Sequence, residues 1–374
     1  MDKLICQRHG ALSELANQWR QLASECNASL FTSWSWQSNW WQTWGGSCGL
    51  ELHLYSVVDV SGKVVAIAPF FIREHRYAKG VTIKQLQIFG NCHPTDITVL
   101  SEYLDILVHP DYEDLVAVSI SQLLEKLQWD ECVLPYNTLN SFFCSKLIPR
   151  MKFVLQQITD YEGPGVLVDV SHDFHEYLTV LGKNTRLKLY NRRSLLQSIG
   201  QVELEYAGED TIDEFLANLN ALDTPRWGRV CFGPESLAFH SRVAHSFYRE
   251  GALRLSCLKV NDEVVSVLYN ICFKGVEYNI QSAYREDFHP KIALGTLHLG
   301  YSIERAFQDK SVNSFDLLFG AGKKSFYKKN YKGMEQSFYT IRLGRSYKSF
   351  FLYKAQQCYR RLKTLWSYFT GWKK

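Results

Sequence analysis

No segment of the 374 residues is long and apolar enough to cross a bilayer. The longest uncharged apolar stretch, Val64 to Ile72, is about half of the ~20 residues a membrane helix needs. The chain does not open with the basic-then-apolar pattern of a secretory signal, so the expectation is a cytoplasmic protein. No CxxC pair occurs among the ten cysteines, which run from Cys6 to Cys358. A zinc cluster and a compact disulfide framework are thereby excluded, leaving free thiols in a reducing compartment. Without a Gly-x-Ser-x-Gly elbow or a local cysteine signature, covalent nucleophilic catalysis has no support. Acids are scarce at one end. From Lys323 onward 14 Lys and Arg face the single Glu335, about +13, so the rest of a chain of formal charge +4 stands at about −9.

Apolar surface, by contrast, is plentiful. With 46% hydrophobic, 14% aromatic and 21% charged residues the chain can bury a core, and its length divides into roughly two or three domains at ~150 residues each. Two β-branched runs, Leu52 to Val58 and Lys63 to Ile72, flank Asp59-Val60-Ser61-Gly62 and predict a hairpin. Short strands at Leu86 to Phe89 and Leu104 to Val108 follow, then a helix over 111–127 and a strand at Cys132 to Leu134. Much the same order returns two hundred residues later. A hairpin (Leu253 to Val260, Val264 to Phe273) precedes a strand over Val276 to Tyr284, a helix over 295–307 and a strand at Asn313 to Phe319. Gly163-Pro164-Gly165 suits a connection between the halves. Four helices are predicted between it and the second hairpin, at about 174–181, 185–197, 210–222 and 235–249.

Several features invite chemistry and do not carry it. Gly320-Ala321-Gly322-Lys323-Lys324-Ser325 has Leu317 where a phosphate loop needs glycine and Lys324 where it needs Ser or Thr. His172 and His175 lack a fourth ligand and read as helix-surface residues. More telling is the strand ending at Tyr284-Arg285, followed by a loop that delivers Lys291 and by Ala293-Leu294-Gly295-Thr296 at a helix start. The free N–H groups and dipole of such a helix end suit a pyrophosphate.

Four short pieces in order carry a family resemblance. They are the basic helix Arg186, Lys188, Arg192, Arg193; Arg226-Trp227-Gly228; the helix-opening Ala293-Leu294-Gly295; and Phe315-Asp316-Leu317-Leu318-Phe319-Gly320 followed by Tyr327-Lys328 and Tyr331. From Thr185 to Gly333 the chain resembles the GNAT-superfamily acetyltransferase domain of cellulose- and exopolysaccharide-biosynthesis proteins, a relative of the Fem-type peptidyltransferases. Phe31-Thr32-Ser33-Trp34, Trp40-Trp41-Gln42-Thr43-Trp44 and Val65-Ala66-Ile67-Ala68-Pro69 are similar to the same family's opening. Two departures stand out: Asp223 where the family often has histidine, and Ala293-Leu294-Gly295 where Ser-Pro-Gly is usual.

The resemblance implies an α+β fold of tandem GNAT-like domains, with mixed, mostly antiparallel sheets flanked by helices, over residues 1–163 and 164–344. A basic amphipathic helix over 345–374 follows. It further implies acyl transfer, with acetyl-CoA as co-substrate, to an amine or hydroxyl of a sugar, sugar-nucleotide or lipid-linked saccharide in envelope or exopolysaccharide assembly. The strand Val276 to Tyr284 exposes backbone to the pantetheine arm, and Ser282, Tyr284, Lys291, Gly295 and Thr296 hold the donor. Arg226 and Trp227 meet the acceptor, while Asp316, Tyr327 and Lys328 are the catalytic candidates. Asp316 has two readings, a loop-fixing salt bridge to Lys328 or an arginine, and a general base.

Two rivals stand beside this reading: Fem-like transfer from an aminoacyl-tRNA, and a non-catalytic scaffold recruited through its terminal helix. In that helix Phe351, Ala355, Cys358, Leu362, Leu365 and Phe369 share one stripe, opposite Lys354, Arg361 and Lys363. The stripe suits an anionic membrane surface or a protein partner, or else packs on the second domain. Nucleic acid is not an expected partner, since the lysines accompany no recognised binding module.

Overall fold

The turn after the first strand of the hairpin is set by Asp59, whose Oδ1 accepts the N–H groups of Ser61 (2.9 Å) and Lys63 (3.0 Å). Gly62 there adopts φ +84°, open to glycine at no steric penalty. In the second hairpin Asn261 (φ +50°) and Asp262 (φ +65°) form a two-residue turn whose twist matches that of the flanking strands. The computed structural model describes residues 4–77, 80–93, 98–320 and 328–355 with Cys358 and Leu362, and of Trp227 the backbone only.

In chain order the first half comprises β1 (Ile5–His9), α1 (Ala16–Glu25), α2 (Trp34–Trp44), β2 (Glu51–Val58), β3 (Val64–Arg76), β4 (Thr82–Ile88), β5 (Leu107–Val108), α3 (Glu113–Lys126) and β6 (Glu131–Asn137). After β7 (Gln156–Asp169) come α4 (Phe174–Val180), α5 (Lys183–Arg186), α6 (Arg193–Ile199), β8 (Val202–Tyr206), α7 (Ile212–Trp227) and α8 (Pro234–Arg249). The second half closes with β9 (Leu253–Val260), β10 (Glu263–Phe273), β11 (Val276–Tyr284), α9 (Leu294–Gln308), β12 (Ser314–Phe319) and β13 (Met334–Gly344).

One mixed sheet runs β1-β2-β3-β4-β6-β13-β7-β12-β11-β10-β9-β8, with β5 on β3. Read from its two ends the order is the same. Each half has an antiparallel run, then a parallel pair (β4 with β6, β11 with β12), then an antiparallel neighbour. The central pair is β7 against β13 over Gln156↔Gly344 to Leu167↔Met334. The neighbour of β6 is therefore β13, the last strand of the chain, and the neighbour of β12 is β7. This mostly antiparallel α+β architecture with a two-fold order is the tandem design expected from the repeated pattern. Gly163-Pro164-Gly165, read as a connection, lies inside β7 and pairs with both β13 and β12.

Further contacts tie the halves. Trp36 and Trp44 of α2 lie against Phe239 of α8 with ring centres 5.1 and 5.0 Å apart, and Asn39 Nδ2 donates to Ser246 Oγ at 3.2 Å. Lys274, on the β10–β11 turn, donates to the carbonyls of Ala23 (2.9 Å), Ser24 (3.1 Å) and Cys26 at the C-terminus of α1, where the helix dipole favours a cation. One apolar core consequently runs through both halves, from Trp19 and Trp40 to Phe247 and Tyr269.

Most predicted elements are present within a few residues. The strand expected at Leu104 to Val108 shrinks to β5, because Leu104 to Ile106 belong to a loop described below. The helix expected over 185–197 is broken by a wider turn at Leu187–Asn191. Strands β1, β7, β8 and β13 and helices α1 and α2 are additions to the expected elements; the strands are held by pairing with distant segments, whereas α1 carries a clear apolar face in Trp19, Leu22 and Ala23.

The terminal segment is helical over 347–355. Its root belongs to the fold. Tyr353 is fully buried and its hydroxyl donates to the Glu131 carboxylate, which also accepts from Tyr77 (3.0 Å) and Gln85 (2.7 Å). The predicted stripe faces the other way: Phe351 and Leu362 are 67% and 65% exposed, and so is Cys358. Leu365, Phe369, Arg361 and Lys363 lie outside the described residues. We expect Tyr353→Ala to lower stability by about 3–5 kcal/mol and Tyr353→Phe by about 1–2 kcal/mol, measured by urea unfolding. A chain ending after Ala355 should match the full chain.

Candidate functional site

Strands β11 and β12 pair in parallel only at Val276↔Ser314, Glu277↔Phe315 and Tyr278↔Asp316. Beyond Tyr278 they part. A bulge at Ile280 bends β11, since Asn279 faces Asn270 while Gln281 faces Tyr269. On the other side Leu318 takes φ +56° at an irregularity between Asp316 and Phe319, past which β12 stays paired with β7 at Phe319↔Gly165 and no longer with β11. Between the parted strands, the start of α9 and the first half lies a cavity of about 780 Å³, within the ordinary range for small-molecule sites.

Its donor-side wall is the one the sequence indicated in part. Ser282, Tyr284, Gly295 and Thr296 line the cavity, as do Ile280 and Gln281. Helix α9 has no side-chain cap, so the N–H groups of its first turn are without an intrahelical partner beside the cavity. A Cβ on Gly295 would stand 2.4 Å from the Tyr284 ring, and only glycine lets that ring lie against the helix start. Arg226 covers the ring from the other side, 4.9 Å from its centre, with its Nε 2.9 Å from Glu286 Oε1. Arg226 and Asp223, one turn apart on α7, both line the cavity. Lys291 does not. It is exposed, and its N–H donates to His289 Nδ1 at 3.1 Å. Tyr327 lies outside the described residues, as does the Trp227 side chain.

Of the catalytic candidates described, Lys328 lines the cavity and Asp316 lies behind it. Asp316 is 3% exposed and does not line the cavity; its Oδ2 accepts from the Tyr103 hydroxyl (2.8 Å) and its Oδ1 from the Leu318 N–H (2.7 Å). Burial pushes its carboxyl up to about 6, against the opposing pull of those two hydrogen bonds and of Lys328. Lys328 donates from Nζ to the carbonyls of Leu317, Leu318 (3.0 Å) and Phe319 (2.7 Å), bracing the end of β12. In place of the salt bridge expected of Asp316, its described hydrogen bonds are to a tyrosine and the backbone, and Lys328 is buried against carbonyls.

Sequence reading missed the contribution of the first half. In that half β4 and β6 pair at Gln85↔Glu131 and Leu86↔Cys132 and then part in the same way. The loop from Thr98 to Ile106 fills the gap. Ser101 Oγ donates to the Gly90 carbonyl (2.7 Å), Asn91 Nδ2 to the Ser101 carbonyl (2.6 Å), and Asn137 Nδ2 to the Leu104 carbonyl (2.7 Å). Asp105 secures the loop by accepting the N–H groups of Phe142 (2.6 Å) and Phe143 (2.9 Å), with its carboxyl pushed up to about 7 by burial. The loop projects Glu102 into the cavity of the second half. Phe31 and Trp36 of the first half form a further wall with Phe232 and His240. The His240 ring stacks on Phe232 at 4.0 Å, and burial pushes its imidazole down to about 3, so it is neutral. No spacing in the sequence signals these residues, because their meaning depends on a contact between segments more than a hundred residues apart.

Residues 183–332 match the family model described as an acetyltransferase (GNAT) domain. No curated protein matches the chain. Among solved structures, FemX superposes with a TM-score of 0.58 at 11% identity, over 89% of this chain and 96% of that one. The C-terminal domain of a putative lysylphosphatidylglycerol synthetase from Agrobacterium fabrum gives 0.53 at 11% identity, over 92% and 95%. L-PGS from Bacillus licheniformis gives 0.50 at 10% identity, over 88% and 92%. At such identities the likeness is one of fold. Residues 183–332 thus match a GNAT acetyltransferase domain, set within a two-fold architecture whose fold is shared with FemX and the lysylphosphatidylglycerol synthetase domain.

Two measurements probe the site. Gly295→Ala should lower stability by about 1–3 kcal/mol through the clash with Tyr284, and in a double-mutant cycle Tyr284→Ala should restore most of it; additive losses would contradict the contact. Glu102 and Asp316 are both raised by burial, so the native state holds protons that the unfolded chain has lost. Their contribution to stability is complete below the unfolded carboxylate pKa of about 4 and is lost as pH rises through the raised values. The stability of Glu102→Gln relative to the wild type, followed by urea unfolding from pH 5 to 9, should therefore increase with pH.

Proposed function

We propose that the protein transfers an acyl group from a coenzyme A thioester to an amine or hydroxyl of a saccharide acceptor. The observation that carries this reading is the parting of β11 from β12 over a cavity that reaches the uncapped start of α9. Among the described residues one edge of Asn279 to Tyr284 has no strand partner there, and an extended amide-bearing pantetheine arm can pair with such an edge as another strand would. The first-turn N–H groups of α9 and the helix dipole suit the pyrophosphate. Placing the acceptor beside the thioester supplies most of the rate, and attack is direct, with no covalent enzyme intermediate.

The acceptor enters from the side of the first half, where Phe31, Trp36 and Phe232 offer aromatic faces and Asp223, Arg226 and Gln281 offer hydrogen bonds. Such a mixed wall suits a sugar, whose C–H faces stack on aromatic rings while its hydroxyls need polar partners. A role in envelope or exopolysaccharide assembly follows the resemblance of the motifs noted above. The exposed terminal stripe extends the reading to an anionic membrane surface, where a lipid-linked acceptor resides. Among the described residues no helix is long and apolar enough to span a membrane. Phe351 and Leu362 nevertheless face outward, on a tail without a single acid from Ser346 to Lys374.

Acetyl-CoA at 100 times its dissociation constant should stabilise the protein by about 2.7 kcal/mol, seen as a raised melting temperature. Labelled acetyl-CoA offered with a panel of amino sugars should yield a labelled product. Absence of both effects rejects the thioester donor and moves the reading to an aminoacyl-tRNA donor, whose binding weakens steeply with salt, or to a non-catalytic scaffold. For the tail, sedimentation with phosphatidylglycerol vesicles should fall at least several-fold in the Phe351→Ser, Leu362→Ser double variant, with no change on neutral vesicles. Equal sedimentation of both proteins would exclude membrane docking.

A further inference from the structure

Among the described residues only one half of the two-fold architecture keeps its crevice open, yet the loop that fills the other crevice carries an acid into the open one. We propose that Glu102, carried by the first half, accepts the proton of the attacking group in the cavity of the second half. The inference rests on the acyl-transfer reading and assigns the residue that serves it.

Glu102 is 4% exposed and lines the cavity. Among the described residues its carboxylate accepts only backbone N–H groups, that of Phe319 at Oε1 (3.2 Å) and its own, and no side chain donates to it. A carboxylate this buried and this sparsely bonded opposes folding, and a glutamine would serve a structural purpose there better. Asp316, the acid the sequence singled out, has both oxygens engaged and stands behind the wall. The charged and titratable groups facing Glu102 are Asp316 and Lys328 of the second half and the Tyr103 hydroxyl beside it. Burial, the largest influence, and Asp316 raise its carboxyl, while Lys328 lowers it; the direction is upward, towards a stronger base. The backbone is strained on both sides of this contact, at Tyr103 (φ +53°) and Leu318 (φ +56°), as expected where a loop is held for function rather than comfort.

In the step, the lone pair of the acceptor nitrogen or oxygen forms a bond to the thioester carbonyl carbon and the C–S bond breaks. The proton lost by the acceptor passes to the Glu102 carboxylate, and from there to the departing thiolate, which leaves as the free thiol. Glu102 ends as it began, and no further reactant is needed.

The test uses the full chain with acetyl-CoA and water as the attacking group, so that no acceptor need be known. Calorimetry gives acetyl-CoA affinity, and free-thiol release gives hydrolysis from pH 6 to 9. Wild-type hydrolysis should rise with pH along a limb that Glu102→Gln abolishes, with a loss on the order of 100-fold in turnover and unchanged acetyl-CoA affinity. Glu102→Asp should keep the limb at a reduced rate. A limb that survives in Glu102→Gln, or a wild type that binds acetyl-CoA yet hydrolyses it no faster than free solution, overturns the assignment of Glu102 while leaving the donor reading standing. Failure of the wild type to bind acetyl-CoA ends the donor reading and this inference with it. If Glu102→Gln does not fold, Glu102→Asp decides, since turnover equal to the wild type would overturn the proposal.

Discussion

Two neighbouring strands that stop pairing partway are the constraint on which the rest of this structure depends. Parallel strands bonded along their whole length leave no backbone for a ligand, whereas β11 and β12 hold together for three residue pairs and then separate around a bulge. Separation is costly unless something else satisfies the freed groups and braces the ends. Lys328 does the bracing for β12 by capping three successive carbonyls, and the Asp316 carboxyl holds Leu318 in a conformation that leucine rarely takes. The open edge that remains belongs to β11.

The same constraint has two solutions in one molecule. In the first half the chain itself occupies the space between β4 and β6, through Ser101, Leu104 and their bonds to Gly90, Asn91 and Asn137. In the second half the space stays open. The central β7–β13 pair, in which the terminal strand of each half lies beside the other half, fixes the two crevices relative to each other. The filled crevice then works as a platform: the loop that fills it carries Glu102 and Tyr103 to the floor of the open one, where Tyr103 bonds Asp316 and Glu102 bonds Phe319. Neither half completes this floor alone.

The elements that sequence reading located are those built from local chemistry. Asp59 and Gly62, or Asn261 and Asp262, can form only a few kinds of turn, and the apolar runs beside them become hairpins. Helices α3, α8 and α9 carry their own periodicity, and the glycine at the start of α9 proved to be where the Tyr284 ring presses. Strands β7 and β13 were unreadable for the opposite reason. Gly163-Pro164-Gly165 has the letters of a turn, and only partners on both sides hold it extended. Lys291 shows the same limit at the site: its position beside a helix start suggested a phosphate contact, and the fold points it to solvent.

By itself the sequence determined the class of architecture, the order of its repeated half, the start of α9 and the Asp316 strand end, since each is assembled from short local patterns that hold wherever the chain places them. The tertiary structure alone decided which of the two crevices the described chain fills, that Asp316 stands behind the wall of the other while Lys328 both lines it and braces the end of β12, and that an acid from position 102 meets a backbone amide at position 319. Contacts of that separation are set by how a long sheet folds its two halves together, and no local pattern of side chains encodes them.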